Sequence, residues 1–310
     1  MPPFEVPIVF LVFNRPGSTA LVFEEIRRIK PRKLLVVADG PQSDRPGDVE
    51  KCANVRSVIE QVDWSCEVIK NYAESNLGCK RRVSSGLDWV FDQVEEAIIL
   101  EDDCVPDQTF FSFCERLLAY YRDDERIMHI GGANFQGGIS RGDGSYYFSR
   151  LNHVWGWATW RRAWKHYDVA MSTYPHFHEQ HHLEIILPHT GMRHAWSRSF
   201  SALFANQIDT WDYQWTYAIW QQNGLSIIPN VNLISNIGFG GDATHTCDDD
   251  NPFSATPASS YGDIVHPQFV VPDRAADEYT FNVTTQISPQ RRLAQNLKQI
   301  IFRLIGRTDD

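Results

Sequence analysis

The sequence lacks a membrane-length apolar run, a paired-cysteine framework and an excess of positive charge. Among its 310 residues no hydrophobic stretch approaches the roughly 18 that span a bilayer. Lys and Arg number 29 against 39 Asp and Glu, a formal charge of −10. That balance argues against a nucleic-acid partner, because phosphate backbones are held by net positive charge. Six cysteines (Cys52, Cys66, Cys79, Cys104, Cys114, Cys247) are scattered, with no C-x-x-C pair. In so long a chain they read as reduced cytosolic thiols, which sets the expected location as cytoplasmic. The opening MPPFEVPIVFLVFNRP has Glu5 and no basic segment ahead of its apolar run, so it does not read as a signal peptide. There is no internal repeat. The segment HFHEQHH (His176, His178, His181, His182) follows no zinc template such as H-E-x-x-H, and reads as a solvated loop or helix start.

What is present is an ordinary globular composition, 43% hydrophobic and 22% charged, with an aromatic share of 13% and 10 Trp. Large flat rings with a polar edge build cores, and they also suit sugar rings and nucleobases.

The first third alternates strand and helix. The apolar run PIVFLVF at 7–13 reads as a strand buried on both faces. Asn14-Arg15-Pro16-Gly17 breaks it, and Ser18 can cap a helix that runs to Arg28. KLLVVA at 33–38 is a second strand ending in the turn Asp39-Gly40-Pro41. A helix is expected near 49–62, a short strand at 65–69, and a helix over 76–94 whose Val83, Leu87, Val90, Phe91 and Val94 share one face. A fourth strand at 97–100 runs into Glu101-Asp102-Asp103, and a helix resumes over 106–121. This alternation implies a mostly parallel sheet flanked by helices. Ligands of such sheets bind beyond the carboxyl ends of the strands. Arg15, Asp39 and Glu101-Asp102-Asp103 therefore converge on one expected crevice. Beyond Ile130, GGANFQGG, NHVWGWATW and DTWDYQWTYAIW suggest a substrate region grafted onto the same sheet, followed by a loop at 248–273.

Several constellations bear on chemistry. Three acids at a buried strand end repel one another unless a cation or donors offset them. Glu101-Asp102-Asp103 reads either as hard-oxygen ligands for Mg²⁺ or Mn²⁺, or as acids at a helix start with Asp103 as the cap. Asp39 can accept from a base N–H or a ribose hydroxyl, and Arg15 can pair with a nucleotide; each is also compatible with a turn or a surface ion pair. Lys80, Arg81 and Arg82 oppose a helix dipole, which suits either anion binding or a solvated face. Asp212, between Trp211 and Trp215, is a general-base candidate in an apolar wall; Asp209 and Asp212 together also read as a helix cap. The glycine loop at 236–246 ends in Thr244, His245 and Thr246; its backbone could hold phosphate oxygens, and His245 could ligate a metal.

In order, these segments (FNRP, ADGP, the basic helix, ILEDD followed by VPDQTFF, WDYQW and NIGFGGDATHT) resemble a nucleotide-sugar glycosyltransferase of the GT-A fold. They are similar in layout to the N-acetylglucosaminyltransferase I type and to family 2-like bacterial enzymes, over residues 7–246. The resemblance implies an α/β, Rossmann-like sheet in a single domain over 1–285, with a nucleotide-binding half at 1–105, an acceptor half at 106–250 and a loop region at 251–285. It implies that Asp103, joined by His245, contacts Mn²⁺ or Mg²⁺, with Asp102 beside the donor ribose or sugar. Asp39, Arg15 and Lys80 then hold the nucleotide, and Thr244 lies in the loop that closes on the diphosphate. Asp212 becomes the base that deprotonates the acceptor; the family shows two adjacent acids there, which leaves Asp209 as the alternative. The function implied is inverting transfer from a UDP-type donor to a glycan or lipid-linked acceptor, as in polysaccharide biosynthesis. Trp155, Trp157, Trp160 and Trp164 are expected either to line the acceptor side or to lie in the core. The alternatives are a non-catalytic carbohydrate-binding or scaffold protein, and a sugar-nucleotide nucleotidyltransferase. The latter normally carries a glycine-rich phosphate loop after its first strand, where FNRPGST has one Gly. The basic amphipathic tail at 286–310 reads either as a peripheral membrane contact or as a docked terminal helix.

Overall fold

The computed structural model of the chain describes residues 4–239 and 256–285. β1 (Ile8–Val12), α1 (Pro16–Ile29), β2 (Lys33–Ala38), α2 (Asp48–Ile59), β3 (Glu67–Tyr72), α3 (Cys79–Phe91) and β4 (Glu96–Glu101) alternate, as the hydrophobic pattern requires. A short β5 (Cys104–Pro106) precedes α4 (Gln108–Tyr120), β6 (Ile127–Gly131), β7 (Tyr146–Ser149) and β8 (Trp157–Trp160). The helices α5 (Arg161–Trp164), α6 (Tyr174–Glu179), α7 (His182–Ile186), α8 (Thr190–Phe204) and α9 (Asp212–Gln221) follow. The described chain ends with β9 (Leu225–Pro229), β10 (Ile234–Asn236) and α10 (Arg274–Thr284).

Eight strands form one sheet in the order β3-β2-β1-β4-β8-β6-β9-β7. Neighbours pair in parallel from β3 through β4 and again between β6 and β9; β8 and β7 run antiparallel to their neighbours. The fold is thus a mixed α/β sheet flanked by helices, and the second half of the chain extends the same sheet. Alternation along β1 sends Ile8, Phe10 and Val12 into a layer with Phe23 of α1, Val55 of α2 and Phe110 of α4. Val9 and Leu11 face the opposite layer, with Leu87 of α3, Trp164 of α5 and Trp215 of α9. A strand covered on both faces is why the run reads as continuously apolar.

Element ends differ from the sequence reading in physically informative ways. α1 begins at Pro16, whose fixed φ suits the first helical position, and Ser18 donates back to the Arg15 carbonyl inside the first turn instead of capping. β3 runs later than expected, to Tyr72; it is an edge strand, and exposed polar residues at Glu67 and Lys70 break its apolar pattern. The cap of α4 is Asp107, which accepts from the Thr109 N–H at 2.8 Å, so Asp103 is not the helix cap. Trp157 and Trp160 lie on β8, between β4 and β6, at 0% and 2% exposure. With Trp164 they belong to the core, which corrects the acceptor-wall expectation for all three. Trp155 is half-buried against Phe135 and Phe239. His176 and His178 are exposed on α6. Among the described residues the five cysteines are unpaired, no cluster of metal-ligating side chains is found, and no helix is long and apolar enough to cross a membrane. The tail expectation and most of the glycine loop, with Thr244 and His245, lie outside the described residues.

α10 returns to the sheet through a buried carboxylate. The Ser149 hydroxyl donates to Asp277 at 2.5 Å and the Arg150 N–H at 3.1 Å. Burial nevertheless pushes Asp277 up to about 6, from about 3.9 in an unfolded chain. Between those values the native state holds a proton that the unfolded state has lost. The stability this group contributes is therefore full below about pH 4 and falls as pH rises to about 6. The stability difference between wild type and Asp277→Asn, from urea melts at pH 4.5 and 7, should shift by about 1–3 kcal/mol against the wild type at the higher pH. A pH-independent difference contradicts this.

Candidate active site

The register of the parallel strands assembles the site. Leu11 of β1 pairs with Glu101 of β4, and Val12 pairs with Ala38 of β2. The chain therefore leaves β1, β2 and β4 at the same level, and Arg15, Asp39 and Glu101-Asp102-Asp103 emerge at one edge. Arg15, Asp39, Gln42, Asn76, Glu101 and Asp102 line a single open cleft there. Its apolar walls include Leu11, Val37 and Val83.

Asp39 is 6% exposed and heavily used. It accepts from the backbone N–H groups of Gly40 (2.8 Å) and Leu77 (2.9 Å), and from the Asn76 amide (2.9 Å). Burial raises its pKa despite these donors. The loops around it are braced by Asp48, which accepts from the Asn14 amide at 2.5 Å and the Gln42 N–H at 2.7 Å.

At the acidic corner, Asp102 accepts from the Phe13 N–H at 3.1 Å. Arg15 Nη1 lies 2.6 Å from Asp103 Oδ2 and 3.7 Å from Asp102 Oδ1. Burial disfavours the Arg15 charge, but Asp102 and Asp103 outweigh it and hold the guanidinium above its ordinary range. One guanidinium does not balance three carboxylates. Burial, then Asp103, push Asp102 up to about 7, and burial with Asp103, Asp102 and Asp212 hold Glu101 well above its usual range. The described side chains form no three-ligand metal cluster by themselves, but one or two hard carboxylates here could hold a divalent cation that substrate phosphates complete. Asp103 immediately precedes β5, which pairs antiparallel with β10, and a Cβ on Gly238 would stand 2.0 Å from its Oδ2. Only glycine permits that approach.

Of the other sequence-derived residues, Lys80 bonds Asn206 Oδ1 at 3.1 Å and is not among the cleft residues. Its neighbour Arg82 turns inward instead, donating to the carbonyls of Ala38 (3.1 Å) and Asn71 (2.5 Å). Asp212 is the first residue of α9, after Trp211 as N-cap, and accepts from the Thr210 hydroxyl. It borders a second cavity with Asn152, Trp196, Tyr213, Thr280 and Thr284. Its charge acts on Glu101 and Cys79, both of which line the first cleft. Asp212 thus stands between the two spaces. Asp209 is exposed and sits over the start of α3, 3.4 Å from where a Cβ on Gly78 would be. Gly78 has φ +79°, which favours glycine.

The sequence reading overlooked Asn76, Gln42 and Asp48. Asn76 follows β3 at the same carboxyl edge, so the rule that selected Arg15 and Asp39 also reaches it. Gln214 gave no signal: it is 1% exposed, and both its amide atoms lack a hydrogen-bond partner among the described residues.

Fold and site together define an α/β protein with an open cleft at the carboxyl edge of its parallel strands and carboxylates in that cleft. No protein-family model matches the sequence, and no curated protein matches it. Solved structures that resemble it are nucleotidyltransferases and glycosyltransferases. The galactosyltransferase LgtC, in complex with donor and acceptor sugar analogs, is 9% identical over 69% of this chain and 70% of its own, at TM-score 0.35. A 4-diphosphocytidyl-2C-methyl-D-erythritol synthase from Anaerococcus prevotii is 8% identical over 52% of this chain and 73% of its own, at TM-score 0.33. HddC from Yersinia pseudotuberculosis is 9% identical over 52% and 80%, at TM-score 0.33. Likeness this slight concerns the fold alone; chemistry has to come from the site.

Proposed function

We propose that the protein is an inverting glycosyltransferase that moves a sugar from a nucleoside-diphosphate donor, of UDP type, to a hydroxyl of a glycan or lipid-linked acceptor. The observation that carries this reading is the gathering of Arg15, Asp39, Glu101 and Asp102 in one cleft, with Asp103 held against Arg15 and Asp212 in the neighbouring cavity. The apolar walls of the cleft suit a base. Asp103, beside Asp102, would hold Mn²⁺ or Mg²⁺ together with the diphosphate. When bound, the cation offsets charge growing on the leaving diphosphate.

The second cavity fits an acceptor sugar: Trp196 and Tyr213 offer ring faces, and Asn152, Thr280 and Thr284 offer polar edges. Asp212 borders it and can take the proton of a hydroxyl bound there. One base acting on the face opposite the leaving group gives inversion at the sugar carbon, as in inverting glycosidases.

Thermal shift against a panel of nucleotide sugars, with and without Mn²⁺, tests this. One donor should raise the melting temperature, and more so with the metal, because a ligand of the native state stabilises it. Free nucleotide should then be released on adding acceptor. Sugar binding without nucleotide release would assign a non-catalytic carbohydrate-binding role instead.

A further inference from the structure

The Arg15–Asp103 pair occupies one of the two carboxylate oxygens that a metal would use; the other, Oδ1, accepts from the Cys104 thiol at 3.4 Å. Arg15 Nη1 sits 2.6 Å from Asp103 Oδ2, and the same nitrogen is 3.7 Å from Asp102. The three side chains are 20%, 13% and 9% exposed, so water screens the pair poorly. The other approach to Asp103 Oδ2 is taken by the chain at Gly238. A guanidinium and a divalent cation cannot share that oxygen without strong like-charge repulsion.

We infer that Arg15 competes with the divalent cation for Asp103, which makes metal binding conditional on the donor's phosphates and makes Arg15 the residue that sets the order of binding. This rests on the reading of Asp103 as the metal carboxylate. Arg15 stands at the N-cap of α1, on the loop that leaves β1, where a long side chain can change partner. A diphosphate offers its planar fork a second anion of matching geometry. When the donor enters, Arg15 moves from carboxylate to phosphate, and Asp103 Oδ2 is released to the cation that the phosphates bring. Each ligand then raises the affinity for the other by the same factor. The nucleotide-free protein keeps its acids paired and holds metal weakly. Arg15 is thus more than the base contact that the resemblance implied.

The test uses Mn²⁺ alone on the nucleotide-free protein, with free Mn²⁺ followed by electron paramagnetic resonance. Arg15→Met should bind Mn²⁺ roughly tenfold more tightly than wild type, a typical size for coupling between sites. The gain should vanish in Arg15→Met/Asp103→Asn. If Arg15→Met lacks a cooperative melting transition, Arg15→Lys takes its place. It keeps the charge but loses the fork, and should gain about fivefold, at the low end of such couplings. Equal affinities in wild type and the Arg15 variant, at a site that Asp103→Asn removes, overturn the competition while the metal assignment stands. If no protein binds Mn²⁺ at Asp103, the competition and the reading beneath it both fail.

Discussion

Asp103→Asn is expected to abolish the Mn²⁺-dependent binding of a nucleotide sugar. The substitution keeps the shape of the side chain but removes its charge, and a neutral amide oxygen is a far weaker ligand for a hard cation. Removing one electrostatic stabiliser of a developing charge typically costs about 100- to 1,000-fold in rate, so turnover should fall at least that far. Isothermal titration of the donor with and without Mn²⁺ reads the binding directly; an unchanged affinity in the presence of Mn²⁺ refutes the assignment. Folding should survive, since Asp102 and Glu101 are already strained by the charge of Asp103, and its removal relieves them.

The second large effect belongs to Asp212. Asp212→Asn should leave donor affinity within about twofold of wild type and lower transfer by about 100- to 10,000-fold, the usual contribution of a positioned general base. The two effects separate because Asp212 lines the second cavity and not the donor cleft. An Asn can still accept from the Thr210 hydroxyl, so the start of α9 is preserved. Kinetics under saturating donor and acceptor read the loss as kcat. Transfer that survives within about tenfold moves the base elsewhere, and Asp209, near the start of α3, is next in line.

Much of this architecture was legible in the chain. The strand at Lys33–Ala38 was read with the bounds it has. The apolar face of α3 was read from spacing alone, and Leu87, Val90 and Phe91 are buried as that spacing required. The rule that ligands gather where parallel strands end selected Arg15, Asp39 and the acids, and all of them meet. The failures share one cause. Trp157 and Trp160 look like a sugar platform in sequence, yet β8 slots between β4 and β6 and buries both. Lys80 and Arg82 are equivalent as charges on a helix start. Only the packing of α3 against β2 turns Arg82 inward and leaves Lys80 with Asn206.

Local order, then, was written in the chain itself. Periodicity, strand-end acids and turn residues act over a few positions, where near neighbours decide the energy. The pairing of Arg15 with Asp103, 88 residues apart, belongs to the tertiary structure. It exists because β1 and β4 lie side by side in parallel register. The same holds for Asp212, which meets the influence of Glu101 only once α9 packs on the sheet. Charges interact through space, and a sequence states the order of its charges without stating the distances between them.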